Sequence, residues 1–115
     1  MQVFGGIVQA GKQRGAASGF PTANIALLDT QLSGIYAGRV TFDGRTYDAA
    51  IYADQSRNLL ESHLLDFSGD LYDKDISVEI LEKIRDSVRF ENEAALRSMI
   101  AEDIVRIREY LKNNH

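Results

Sequence analysis

The amino-acid sequence predicts a small, mainly β domain of the α+β class, in which about six antiparallel strands close toward a barrel and one helix follows at the C-terminal end. Three observations predict it. Short apolar runs separated by clusters of Gly, Asp, Asn and Ser recur as far as residue 84. The pair Asp43-Gly44 divides two of these runs at the spacing of a two-residue hairpin turn. Beyond residue 92 the apolar period lengthens from two to three or four, which is the period of a helix.

Taken in order, Val3 to Ala10 is apolar or small and reads as a strand, and Gly11 through Gly19 then breaks any periodicity. Thr22 to Leu28 is a short strand, ended by the turn residues Asp29-Thr30-Gln31-Leu32-Ser33-Gly34. Ile35 to Phe42 and Arg45 to Ala53 flank Asp43-Gly44, a pair suited to the positive φ angles of a type I′ turn. Leu59 to Phe67 is a further strand and Phe67-Ser68-Gly69-Asp70 a turn. Ile76 to Ile84 sets Ile76, Val78 and Ile80 against Ser77, Glu79 and Leu81 with period two. Leu96, Ile100, Ile104, Ile107 and Leu111 then mark one face of an amphipathic helix running from about Glu93 to Lys112, with Asn92 as its N-cap. At this size, closing the sheet removes exposed edges, and the helix covers one opening or flank.

With 115 residues the chain reads as one complete domain, residues 1–115, because two ordinary cores need more chain. Apolar residues at 44% and charged residues at 26% are the balance of a globular protein. A net charge of -4 without a Lys/Arg block argues against nucleic-acid binding, so a phosphate-bearing ligand needs backbone amides or a metal. No cysteine is present, which excludes disulfides, thiolate nucleophiles and Cys-based zinc sites and fits a reducing, cytoplasmic setting. Neither a signal-peptide pattern nor a membrane-length apolar run occurs, and nothing in the residues implies an obligate protein partner.

Two segments stand out chemically. Gly11 to Gly19 holds three glycines and two cations in nine residues, so its backbone can approach an anion closely, although it matches neither the P-loop nor GxGxxG. The only proline, Pro21, then precedes Thr22 and Asn24, which face the same way along a strand and offer hydroxyl and amide oxygens to a hard cation. On composition alone, a mobile loop and a polar strand edge account for both. Glu61 would likewise be an exposed strand glutamate, and His63 a half-buried strand residue rather than half of an acid-base pair. Tyr36, Tyr47 and Phe67 read as core aromatics.

The order of motifs resembles that of the riboflavin kinase family. The residues that carry it are Gly6-Ile7-Val8, Gly11 through Arg14-Gly15, Gly19-Phe20-Pro21-Thr22-Ala23-Asn24-Ile25 and Ser33-Gly34-Ile35-Tyr36-Ala37-Gly38. Glu61 through Tyr72 is similar to a second motif, Ile84-Arg85 with Phe90 to a third, and Leu96 through Asp103 to the family's helix. The resemblance implies a six-stranded Greek-key barrel that converts riboflavin and ATP, its co-substrate, to FMN and ADP with Mg²⁺ or another hard divalent cation. Carried over by position, Thr22 and Asn24 lie at the metal and the phosphates, and Gly11, Arg14, Gly15 and Gly19 cover the nucleotide. Glu61 is then the general base, and Arg85 and Phe90 lie near the flavin.

One stretch departs from the family. Where members carry an Asn-Ile-Gly type segment ending in Pro-Thr or a similar turn, this chain has Ile51-Tyr52-Ala53-Asp54-Gln55-Ser56-Arg57-Asn58 and no proline. The reading set against a kinase is therefore a non-catalytic flavin- or nucleotide-binding module on the same barrel.

Overall fold

Six strands, β1 (Gln2–Ile7), β2 (Thr22–Ala26), β3 (Gly34–Phe42), β4 (Arg45–Asp54), β5 (Leu59–Leu64) and β6 (Asp75–Arg85), precede one helix, α1 (Glu93–Asn113). The structure, a computed structural model, describes residues 2–9, 22–29, 31–67, 69, 71–86 and 92–113, without the side chains of Glu93 and Leu96. All pairings are antiparallel, in the order β1-β6-β3-β4-β5-β2. The sheet curls so far that its two edge strands meet, through a bridge between Gln9 and Asn24.

Period-two alternation divides the apolar side chains between two cores. Ile25, Val40, Ile51, Leu60, Leu64, Ile76 and Val78 fill the inside of the curled sheet. Ile35, Ala37, Ala50 and Leu65 point outward and are covered by Ile100, Ile104, Ile107 and Leu111 of α1, so the helix lies on the flank of the barrel. Asn92 caps this helix, its Oδ1 accepting the Ala95 N-H at 2.9 Å. Among the described residues no helix is long and apolar enough to cross a membrane.

The β3–β4 turn forms as its residues demand, with φ of 50° at Asp43 and 75° at Gly44. Phe42, Tyr47 and Phe67 cluster beside it, with centroids 5.0 to 5.5 Å apart; Phe42 is buried in the interior core, and Tyr47 and Phe67 are half-buried against it. Tyr36 is buried too, and its hydroxyl donates to the Ser33 carbonyl at 2.9 Å.

Three strands are shorter than their apolar runs. β2 ends at Ala26 rather than Leu28, because the Leu27 N-H leaves the β5 ladder for the Asn58 carbonyl at 2.8 Å. β1 ends at Ile7 rather than Ala10 because the chain changes partner: Val8 still bonds Lys74, whereas the Gln9 N-H donates across to the Asn24 carbonyl at 2.7 Å. β5 stops at Leu64 rather than Phe67, since Asp66 takes a φ of 58° and Leu65 turns into the core beneath α1.

Gly38 marks the closest approach of backbones. A methyl group there would collide with the Glu79 carbonyl of β6 and with Ile51 Cδ1 in the interior. Gly38→Ala is expected to cost about 1–3 kcal/mol, the usual penalty of overpacking, read as a lower urea midpoint with the slope unchanged.

The Gln55–Asn58 connection, in the stretch that departs from the family the sequence resembles, is heavily bonded. Asp54 Oδ1 accepts from the Ser56 N-H at 3.0 Å, the Ser56 hydroxyl at 2.6 Å and the Arg57 N-H at 3.2 Å, while Arg57 Nε donates to Oδ2 at 2.6 Å. Gln55 Nε2 donates to the carbonyls of Asp29 and Leu32, and the Leu27 N-H donates to the Asn58 carbonyl, joining the loop to the segment after β2. Partial burial raises the Asp54 carboxyl, but the hydrogen bonds from Ser56 and Arg57 outweigh it and leave its pKa below the ordinary value. A folded-state pKa below the unfolded one stabilises above the unfolded value, near 4, and that contribution is lost as pH falls through the folded one. Asp54→Asn is therefore expected to destabilise the fold by about 1 kcal/mol at pH 7 and by progressively less below pH ~4, in thermal melts across that range.

Candidate active site

The pairing of β2 with β5 builds the site. Thr22 lies opposite His63 and Asn24 opposite Glu61, and because alternate residues share a face, all four side chains stand on the same side of the sheet. On the other edge of β5, Ala50 and Tyr52 of β4 continue the same two rows. This is the side covered by α1, opposite the interior core.

All four polar residues are buried: Thr22 is 8% exposed, Asn24 2%, Glu61 4% and His63 1%. His63 Nε2 and Glu61 Oε1 are 3.1 Å apart. Thr22 Oγ1, Asn24 Oδ1, Glu61 Oε2 and His63 Nδ1 are buried without a hydrogen-bond partner among the described residues. Each such atom ordinarily costs about 1–3 kcal/mol, and these four fall on two facing strand pairs. Two further unpartnered atoms lie apart from this block, on Ser62 and Arg39.

Three of the four atoms are hydroxyl, amide and carboxylate oxygens, a donor set that fits a hard divalent cation. Among the described residues, no three His, Cys, Asp or Glu side chains gather as a metal cluster. Any such cation must complete its shell with ligand oxygens or water.

A buried charged network anchors the helix beside these rows. Arg85 at the end of β6 grips Asp103 of α1 with both nitrogens, Nε to Oδ1 and Nη2 to Oδ2, each at 2.7 Å. Asp103 is 1% exposed and also accepts from the Tyr52 hydroxyl at 3.2 Å. Burial, then the adjacent Asp103 carboxylate and its hydrogen bond, push the Tyr52 phenol well above its ordinary pKa, so that it remains a donor. The Tyr52 ring tilts against His63 with centroids 4.7 Å apart, which joins the helix network to the Glu61 row.

An open cleft of about 580 Å³ runs between the ends of β1 and β2 and reaches Gln9, the bridge partner of Asn24. Gly5 and Gly6 line it, as do Ile7, Leu28 and Tyr72. These three are 52%, 88% and 51% exposed.

The structure brings Thr22, Asn24 and Glu61 together and buries them, where composition alone allowed an exposed edge. It places Arg85 against Asp103, across Tyr52 from that group. Gly11, Arg14, Gly15, Gly19 and Phe90, together with Phe20 and Pro21, lie outside the described residues. Two residues of this face were not singled out from the chain, Tyr52 and Asp103, and His63 was weighed as Glu61's partner and set aside. A signal existed for His63 and Asp103, since Glu61-Ser62-His63 has the spacing of a shared strand face and Asp103 falls on the apolar stripe of the helix.

A family model described as Flavokinase: Riboflavin kinase matches residues 2–111. The chain is 36% identical over 108 residues to a trifunctional protein RibF/MnmA of Mycoplasmoides gallisepticum, covering 85% of this chain and 16% of the relative. It is 34% identical over 112 residues to a bifunctional riboflavin kinase/FMN adenylyltransferase of Pseudomonas fluorescens, covering 90% of this chain and 36% of the relative. The chain thus spans about a sixth and about a third of the length of these curated relatives. Its fold matches the crystal structure of riboflavin kinase from Trypanosoma brucei with a TM-score of 0.75 at 23% identity, over 97% of this chain and 78% of the other. Because the family match takes in all six strands and nearly all of α1, including the Thr22, Asn24 and Glu61 rows, the chain belongs to the riboflavin kinase family.

Proposed function

We propose that this chain transfers the γ-phosphoryl group of ATP to the terminal ribityl hydroxyl of riboflavin, giving FMN and ADP. The observation that carries the proposal is the block of unpartnered atoms on Thr22, Asn24, Glu61 and His63, in a chain of this family. Phosphoryl transfer depends on positioning and charge neutralisation, and a buried carboxylate beside hard oxygen donors supplies both kinds of group.

Glu61 Oε2 accepts the hydroxyl proton in this reading. As the proton leaves, the ribityl oxygen bonds to the γ-phosphorus, and the bridging P–O bond breaks with its electron pair on ADP. Thr22 Oγ1 and Asn24 Oδ1 would hold the metal and orient the phosphates. Mg²⁺ or another hard divalent cation, when bound, neutralises phosphate charge that a chain of net charge -4 cannot. The cleft lined by Gly5 and Gly6 suits the planar base of the nucleotide, with Gly11, Arg14, Gly15 and Gly19 covering its phosphates. On the flavin side, Arg85 acts through Asp103 by holding the end of β6 against α1, and Phe90 supplies an apolar surface.

Purified chain incubated with riboflavin, ATP and Mg²⁺ is expected to form FMN, resolved by chromatography, and to stop when EDTA is added. Thr22→Ala is expected to lower the rate by about 10²-fold, as loss of an oriented electrostatic group does. Flavin binding without turnover would instead favour the non-catalytic module, and an absence of binding to either substrate would exclude both.

A further inference from the structure

The two carboxylate oxygens of Glu61 are not equivalent. Oε1 lies 3.1 Å from His63 Nε2, whereas Oε2 is buried without a partner among the described residues. We propose that His63 is a positioning residue that donates Nε2-H to Oε1 and thereby fixes Oε2 as the oxygen that receives the substrate proton. This rests on the reading of Glu61 as the base.

Three features of the site support this role. A glutamate side chain has several rotamers, and a base must be held toward its proton to be effective. The His63 ring is itself held, 1% exposed, with the Tyr52 ring at 4.7 Å on one side and only the methyl of Ala50 at its register position on β4. Its other nitrogen, Nδ1, is buried without a partner among the described residues. As a base Glu61 offers only acceptor oxygens, so Nε2, 3.1 Å from Oε1, is the nitrogen that carries a proton toward it, and the unpartnered Nδ1 is the one that need not. Among the described residues, the other titratable groups beside this pair are Tyr52 from β4, Asp103 from α1 and Arg85 from β6, with Asp103 accepting from the other two.

The chain has two histidines, His63 and His115, so a ¹⁵N-histidine-labelled sample resolves the ring directly. The expected spectrum has a proton on His63 Nε2, shielded from exchange, and an unprotonated Nδ1, with the Nε2 signal moving in Glu61→Gln. A proton on Nδ1 instead would overturn the proposal without touching the kinase reading. Kinetics supply the second arm. His63→Leu is expected to lower kcat by about 10²-fold, the cost of a misplaced reacting group, with KM for riboflavin and ATP changed by less than about threefold. His63→Gln, whose amide can donate from near the Nε2 position, should recover kcat to within about tenfold of the parent. Should an active parent chain be matched by His63→Leu, or should Gln rescue no better than Leu, His63 does not position the base. Failure of the parent chain to form FMN overturns the kinase reading itself, while the tautomer still decides whether the pair exists.

Discussion

Glu61→Gln is expected to lower the rate of FMN formation by about 10² to 10⁴-fold, the range typical of a lost general base. The substitution is close to isosteric, and the amide oxygen it introduces can still accept from His63 Nε2, so the buried pairing at 3.1 Å has a substitute. What changes is the atom at Oε2, where an NH₂ group cannot accept a proton. The melting temperature should therefore stay within a few degrees of the parent, and KM should move less than kcat. Comparable turnover by a folded Glu61→Gln chain would remove Glu61 from the chemistry.

Asp103→Leu is expected to be the most damaging change outside the reaction itself, at about 3–5 kcal/mol by urea denaturation. Asp103 is 1% exposed and is the shared acceptor of Arg85 and Tyr52, so its loss leaves a largely buried guanidinium and a phenol without their carboxylate. That is a large part of the about 5–15 kcal/mol that holds an ordinary domain together. Replacing both partners, Arg85→Met with Asp103→Leu, should recover much of the loss, because the penalty lies in the stranded charge more than in the missing attraction. A loss below about 1 kcal/mol in the single variant would mean that the helix is held by its apolar face alone.

How much of the site was legible depends on which residues carry it. Thr22 and Asn24 were visible as two oxygen-bearing side chains on one strand face behind the only proline. Glu61 was visible only through the order of motifs, because a single glutamate in a strand has no local signature. His63 was discounted as a half-buried residue, yet it is among the most buried side chains and touches Glu61. Asp103 carried a readable anomaly, a carboxylate on the stripe of Ile100, Ile104 and Ile107, although its partner lies 18 residues earlier in the chain. The Gln55–Asn58 loop closes through Asp54 in a way that its own Asp, Ser and Asn residues make chemically reasonable.

The amino-acid sequence by itself determined the elements: six strands from period-two alternation and turn residues, the Asp43-Gly44 hairpin, and the helix starting at Asn92. Alternation also says which residues share a face of their own strand. It does not say which strand lies alongside, since every antiparallel neighbour offers the same backbone hydrogen bonds. Only the tertiary structure decided that β2 pairs with β5, across the whole intervening β3–β4 hairpin, in the register that sets Asn24 against Glu61 and Thr22 against His63. It also decided that α1 lies over that same face, bringing Asp103 to Arg85 and Tyr52. Those choices come from burying two apolar faces of one curled sheet at once, a condition on the whole chain that no local stretch of residues contains.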